Sequence, residues 1–196
     1  MPAPRLILAS TSRYRRGLLE RLRLPFAVMS PGVDESPLPG EAPAALAIRL
    51  ALAKAQAVAA QAVDAIVIGS DQVADLDGQA IGKPASHDRA ASQLALMSGQ
   101  RVVFHTAVAV VRRDRGFERA LLAPVTVHFR ALNAAEIERY LQLDEPYDCA
   151  GSARSEALGV ALLERIDSDD PTALIGLPLI RTCALLREAG LDPLGA

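Results

Sequence analysis

Residues Ser10 to Arg16 hold the densest chemistry in the chain. Ser10-Thr11-Ser12 puts three polar side chains in a row, and Arg13, Tyr14, Arg15 and Arg16 follow directly. A short apolar run, Arg5 to Ala9, precedes them, and Leu18-Leu19 comes after. That order describes a buried strand, a hydroxyl-rich loop and the first turn of a helix. A Ser or Thr caps such a helix by accepting from its unpaired N–H groups. The same N–H groups and the helix dipole attract anions. Cations in a first turn oppose the dipole, so three arginines there cost stability unless an anion lies among them. The segment is therefore a candidate phosphate-binding corner. An ordinary capped helix with solvated arginines fits the same pattern, and the segment alone does not choose.

The basic residues carry a second signal. Of 21 Lys and Arg residues only Lys54 and Lys83 are lysine. A chain that uses arginine so widely keeps lysine where a compact ammonium is needed and a planar guanidinium would not fit, or keeps it by chance. Lys83 lies in Gly82-Lys83-Pro84, a stiff loop with little bulk around it. Lys54 falls on an expected helix, with Leu50, Ala51 and Val58 at three- and four-residue spacings, so it points toward packed structure rather than water.

Several carboxylates are candidates. Asp71 follows the apolar run Ala65 to Gly69, where the strand is expected to end at Ser70-Asp71-Gln72. Open α/β sheets gather ligands at the carboxyl ends of their strands. An Asp there can hold a metal, activate water, or simply cap a turn. Asp34-Glu35 is a polar pair in a proline-rich loop, and Glu156 sits in Ser155-Glu156 before an apolar run; a solvated loop residue explains either equally. Asp77-Gly78 signals a hairpin turn, and Asp169-Asp170 before Pro171 signals a cap.

These groups need a scaffold, and the chain alternates strands and helices to supply one. Strands are expected at 5–9, 26–30, 65–69, 73–76 with 79–81, 101–111, 121–129 and 160–166. Helices are expected from residue 13, over 44–62, 86–97, 133–143 and 179–189, with Ser86 and Asn133 as caps and Gly190 as a stop. No repeat or linker divides the sequence. The expectation is one α/β domain over residues 1–196: a mixed twisted sheet with helices on its faces and a long antiparallel extension.

Composition excludes several classes. At 51% hydrophobic the chain is not disordered, and 196 residues bury a substantial core. A formal charge of −2 argues against a general nucleic-acid binder. No run spans a membrane and no signal peptide precedes the first strand, so a cytoplasmic location is expected. Cys149 and Cys183 lack redox or metal spacing, and His87, His105 and His128 are far apart. There is no P-loop, dinucleotide fingerprint or nucleophile elbow.

The ordered set of fragments resembles the Maf family of nucleoside triphosphate pyrophosphatases, from Leu6 to Leu191. Its carriers are LILASTSRYRRGLL, VDE at 33–35, LAKAQ around Lys54 and IGSDQV at 68–73. GKP at 82–84, CAGS at 149–152, SEALG at 155–159 and IGLPL at 175–179 complete it. Tyr14, Asp71-Gln72 and Ser155-Glu156 are similar to the subgroup acting on 7-methyl-GTP. Arg13 stands where the family often has Pro.

The resemblance implies hydrolysis of the α–β phosphoanhydride to a nucleoside monophosphate and pyrophosphate. It implies a divalent cation (Mg2+, Mn2+ or Co2+) and a fold like that of inosine triphosphate pyrophosphatases. It assigns roles to Ser10, Arg15, Glu35, Lys54, Asp71 and Lys83, with Asp71 as proton acceptor. The chemistry is coherent. Arg15, Lys54 and Lys83 offset phosphate charge, and Glu35 with Asp71 suits a hard cation, although the sequence does not separate base from ligand at Asp71. Tyr14 offers an aromatic face to a cationic methylated guanine, Glu156 accepts from its N–H groups, and Gln72 offers a neutral donor and acceptor. A pyrophosphatase for another nucleotide, such as dTTP or UTP, and a nucleotide-responsive regulator of division remain as alternatives. The expected partner is a small nucleotide, without nucleic acid or membrane, and a homodimer is left open.

Overall fold

Seven strands form one mixed sheet in the order β2-β1-β3-β5-β6-β7, with β4 paired to β3 alone. The structure, a computed structural model, describes residues 4–195. The strands are β1 (Arg5–Ala9), β2 (Ala27–Met29), β3 (Ala65–Leu76), β4 (Gln79–Ile81), β5 (Arg101–Arg112), β6 (Phe117–Phe129) and β7 (Leu163–Asp167). The helices are α1 (Arg13–Glu20), α2 (Pro43–Ala59), α3 (His87–Met97), α4 (Ala134–Asp144) and α5 (Leu179–Glu188). β1 runs parallel to β2 and β3; every other pairing is antiparallel.

Ala65 to Ile68 is apolar throughout because it is covered on both faces. Val67 packs under α2, while Ile66 and Ile68 pack with α1 and α5. A third core joins α3 and α4 to the far halves of β5 and β6. Gly69 sets how closely α2 approaches: a Cβ there would lie 2.2 Å from the Ala51 carbonyl oxygen and 2.6 Å from the Ala55 nitrogen. Backbone therefore rests on backbone where Lys54 leaves the helix.

β3 is longer than its sequence suggests. It does not end at Gly69 but continues through Ser70, Asp71 and Gln72 to Leu76. The polar residues stay in the strand because β5 pairs with it from Val67 to Asp75. Ser70 Oγ donates to the carbonyls of Ala107 and Gly176, at 2.8 and 2.9 Å, so its burial leaves nothing unpaired. Asp71 is thus a mid-strand residue just past the point where the parallel partner β1 stops at Ala9. The expected strand at 160–166 also shifts: Leu158–Leu162 forms a 3-10 turn and β7 follows it. The β3–β4 turn has positive φ at both Asp77 and Gly78, as the right-handed twist of a two-residue hairpin requires.

Candidate active site

Lys54 and Asp71 meet at the floor of an open cleft. Lys54 Nζ lies 2.6 Å from Asp71 Oδ1 and 2.7 Å from Glu35 Oε1. The ammonium and Asp71 are almost fully buried, whereas the Glu35 side chain is half exposed on the loop before α2. Burial pushes the Glu35 carboxyl up. The Lys54 hydrogen bond and charge, with Lys83 and Arg15 adding theirs, outweigh that and hold it below the usual carboxylate range. One oxygen of each carboxylate is left over by Lys54, which bonds Oδ1 and Oε1. Among the described residues no group of three or more His, Cys, Asp or Glu is placed to hold a metal by itself.

The loop bearing Glu35 is fastened from outside. Arg49 grips Glu41 with two parallel bonds, at 2.6 and 2.7 Å, and its Nη2 also donates to the Ser36 carbonyl. Glu41 in turn accepts from the Leu38 backbone N–H, and the Arg49 guanidinium pulls its carboxyl down to about 2. Glu35 is held over Lys54 by this clip and not by a helix or strand.

The first loop divides its arginines. Ser12 caps α1 by accepting from the Arg15 N–H, and the buried Ser10 Oγ accepts from the Ser12 N–H. Arg15 turns inward; its Nε donates to the Gly176 carbonyl at 2.9 Å, the same oxygen that Ser70 uses. Burial lowers the Arg15 pKa, and Asp71 and Glu35 oppose that by their charge. Arg16 instead pairs with Glu20 on the outer surface at 3.0 Å. Arg13 lies over the Tyr14 ring, 4.8 Å from its centroid, and donates to the Tyr14 hydroxyl. The two readings of this corner divide among the arginines: the helix period turns Arg16 out to solvent, Arg13 lies at the cleft over Tyr14, and Arg15 faces the ion cluster.

Lys83 and Glu156 line the same cleft, with Lys83 near enough to Glu35 for its charge to lower that carboxyl. The Lys83 loop leaves β4 and is tied back by Gln93, whose Nε2 donates to the Gly82 carbonyl, and by the Ala85 N–H to Tyr147 bond. Glu156 is exposed at the cleft edge. Gln72 corrects an expectation. Its Nε2 already donates to Thr106 Oγ1 and the carbonyls of Ala173 and Leu174, so only Oε1 remains for a ligand. Burial, with Asp148 beside it, pushes the Cys149 thiol up to about 12, which leaves it inert as a nucleophile.

The cleft has a volume of about 780 Å³, within the ~300–1,000 Å³ range of small-molecule sites. Ser10, Tyr14, Arg15, Glu35, Lys54, Asp71, Gln72, Lys83 and Glu156 all line it. So do Asp148 and Arg154, which sequence reasoning missed. Arg154 pairs with Asp144 ten positions away and across a helix end, a relation no local pattern announces. Arg15, Lys54 and Lys83 line it beside the carboxylates of Glu35 and Asp71, and Tyr14 and Glu156 line it as well. That arrangement can neutralise a polyphosphate at one end and hold a ring with hydrogen-bond donors at the other.

Three relatives bearing the name 7-methyl-GTP pyrophosphatase align along almost all of the sequence. The protein from Polaromonas sp. (strain JS666) is 65% identical over 185 residues, covering 94% of this chain and 84% of the relative. Those from Albidiferax ferrireducens and Thiobacillus denitrificans are 62% and 55% identical over 192 residues, covering 98% of this chain and 96% of each relative. A solved structure, that of the Staphylococcus aureus Ham1 protein, superposes with a TM-score of 0.45 at 17% identity, over 64% of this chain and 71% of that one. Residues 5–189 match the family described as "Maf: Maf-like protein". With that match running from β1 through α5, this chain belongs to the Maf family.

Proposed function

We propose that the protein hydrolyses 7-methyl-GTP to 7-methyl-GMP and pyrophosphate, acting as one unit over residues 1–196 in the cytoplasm. The observation that carries this reading is the buried Lys54–Asp71 pair with Glu35 on the same ammonium, set in a cleft with Tyr14 and Glu156 on its rim. The names of the close relatives support the same substrate.

Water attacks the α-phosphorus, the bond from that phosphorus to the α–β bridging oxygen breaks, and pyrophosphate leaves with the electron pair. Asp71 is the proton acceptor for that water. Lys54 fixes its carboxylate by one oxygen and leaves the other for the water. Arg15, Lys54 and Lys83 offset the charge of the triphosphate, and Ser10 with the N–H groups at the start of α1 binds phosphate oxygens. The donor set also fits a divalent cation such as Mg2+, Mn2+ or Co2+. Mg2+ takes one or two carboxylates and completes its shell with phosphate and water; Glu35 has an oxygen to give, and the second Asp71 oxygen would go to the cation in place of the water if Asp71 served as ligand and not as base. When bound, that cation would supply further positive charge at the phosphates. At the base end, Tyr14 stacks on the cationic ring, Glu156 accepts from its N–H groups, and Gln72 Oε1 adds an acceptor.

The test is a panel of nucleoside triphosphates incubated with the protein and each cation, with products separated by chromatography. 7-methyl-GTP should be converted faster than GTP, dTTP and UTP, with one pyrophosphate per monophosphate, and a chelator should stop the reaction. Release of single phosphate, a preference for another base, or binding without turnover would overturn the reading.

A further inference from the structure

Arg154 stands two residues before Glu156, and its guanidinium is engaged in three directions. Nε and Nη2 grip the two carboxylate oxygens of Asp144, the last residue of α4, at 3.0 and 2.5 Å. Nη2 also reaches the Asp144 carbonyl at 2.6 Å. Nη1 donates to the Tyr14 hydroxyl at 3.4 Å. Asp144 is 8% exposed, so this pair is the anchored part of an otherwise open rim.

The backbone around Arg154 is fixed as well. Its N–H donates to the Tyr140 hydroxyl at 3.1 Å, and its carbonyl accepts from the Ala157 N–H at 3.1 Å. That second bond closes a tight turn with Ser155 and Glu156 at its tip. Gly159 then folds onto Arg154 itself: a Cβ there would lie 2.5 Å from the Arg154 carbonyl oxygen. The turn bearing Glu156 thus hangs from one residue, and that residue also touches Tyr14 on α1. A planar guanidinium can satisfy both carboxylate oxygens and a third acceptor at once; an ammonium has no such fork.

We propose that Arg154 is a positioning residue for base selection: clamped on Asp144, it sets Glu156 and Tyr14 at a fixed spacing across the base end of the cleft. This rests on the assignment of that end to the base. The cluster of Lys54, Asp71 and Glu35 shares no hydrogen bond with Arg154 among the described residues. The clamp therefore acts on base recognition and leaves the polyphosphate end alone.

Arg154→Lys, Tyr14→Phe and the double variant test it, after circular dichroism has shown each to be folded. The substrates are 7-methyl-GTP and GTP with Mg2+, and inorganic tripolyphosphate serves as a competitor that has no base. Arg154→Lys should raise KM for 7-methyl-GTP roughly tenfold, the scale of one charge-assisted contact. kcat and the tripolyphosphate inhibition constant should stay within about twofold, and the preference over GTP should shrink. Tyr14→Phe keeps the ring and loses the hydroxyl, so Arg154→Lys should cost less in that background than alone.

Unchanged KM, strictly additive effects, or an equal loss of tripolyphosphate binding would overturn the proposal. If Arg154→Lys does not fold, Tyr14→Phe decides it: an unaltered preference between the two bases counts against the clamp. A wild type that prefers a different nucleotide overturns the substrate reading instead, and the same comparison then runs on that nucleotide.

Discussion

Asp71→Asn separates chemistry from stability in this cleft. The substitution keeps the shape of the side chain and one oxygen but removes the charge. Breaking a buried ion pair by deleting one partner costs about 3–5 kcal/mol when the other charge is left alone. Here Lys54 is not left alone, because Glu35 Oε1 stays 2.7 Å from its nitrogen. The cost should fall toward that of one charge-assisted hydrogen bond, ~1.5–3 kcal/mol. A domain of this size typically has about 5–15 kcal/mol in hand, so the variant should fold. Turnover is a different matter, since the group that accepts the water proton is gone. General-base losses run from ~10² to ~10⁴-fold, and the low end alone corresponds to ~2.7 kcal/mol in the barrier. The assay is pyrophosphate release at saturating nucleotide, beside thermal melts of both proteins. A folded variant turning over within a few-fold of wild type would refute the assignment of Asp71.

Removing Lys54 should cost stability as well as turnover. Lys54→Met leaves Asp71 and Glu35 facing each other without their shared cation. Glu35 then titrates higher than in the wild type, because its hydrogen bond and charge partner is gone and only Lys83 and Arg15 still oppose burial and the like charge. In the wild type the lowered Glu35 value stabilises the fold above the unfolded value and is lost as pH falls through the folded one. In the variant that stabilisation shrinks, so the gap in melting temperature should widen as pH rises from about 3 to 6; a constant gap would contradict this. Lys83→Arg keeps the charge but not the compact head, and kcat/KM should drop although the fold does not change. Wild-type kinetics there would mean that the scarcity of lysine carries no message at that loop. Glu156→Gln should lower the kcat/KM ratio of 7-methyl-GTP over GTP, with 7-methyl-GTP itself falling roughly tenfold. An unchanged ratio would remove Glu156 from base sensing.

The local framework was legible because its signals are local. Ser12, Ser86 and Asn133 cap the helices that their spacing indicates, and the Asn133 cap includes the reciprocal Glu136 bond. Lys54 is buried as its apolar neighbours at helical spacing require. What the sequence concealed depends on partners far along the chain. Ser70-Asp71-Gln72 looks like a strand end because three polar residues follow an apolar run. It stays a strand because Gln72 and Ser70 find carbonyls at 173, 174 and 176. Arg13, Arg15 and Arg16 are alike in sequence; helix period turns Arg16 away, and the carbonyl of residue 176 holds Arg15 inward. The Arg49–Glu41 clip reaches eight residues back from α2 to the loop before it, and the Arg154–Asp144 clamp reaches ten across a loop, where periodicity is silent.

One carbonyl oxygen makes the order of assembly matter. Gly176 receives Arg15 from the first helix and Ser70 from the middle of β3, so three distant stretches of chain close on a single acceptor. A nascent chain that has reached β7 already holds Lys54, Asp71, Lys83 and Glu156. It still lacks the acceptor that draws Arg15 inward, although Ser70 already has the Ala107 carbonyl. The inward setting of Arg15 therefore arrives with the last segment rather than growing in step with the fold. A polypeptide cut short before residue 176 would carry most of the side chains that line the cleft without the carbonyl that turns Arg15 toward them.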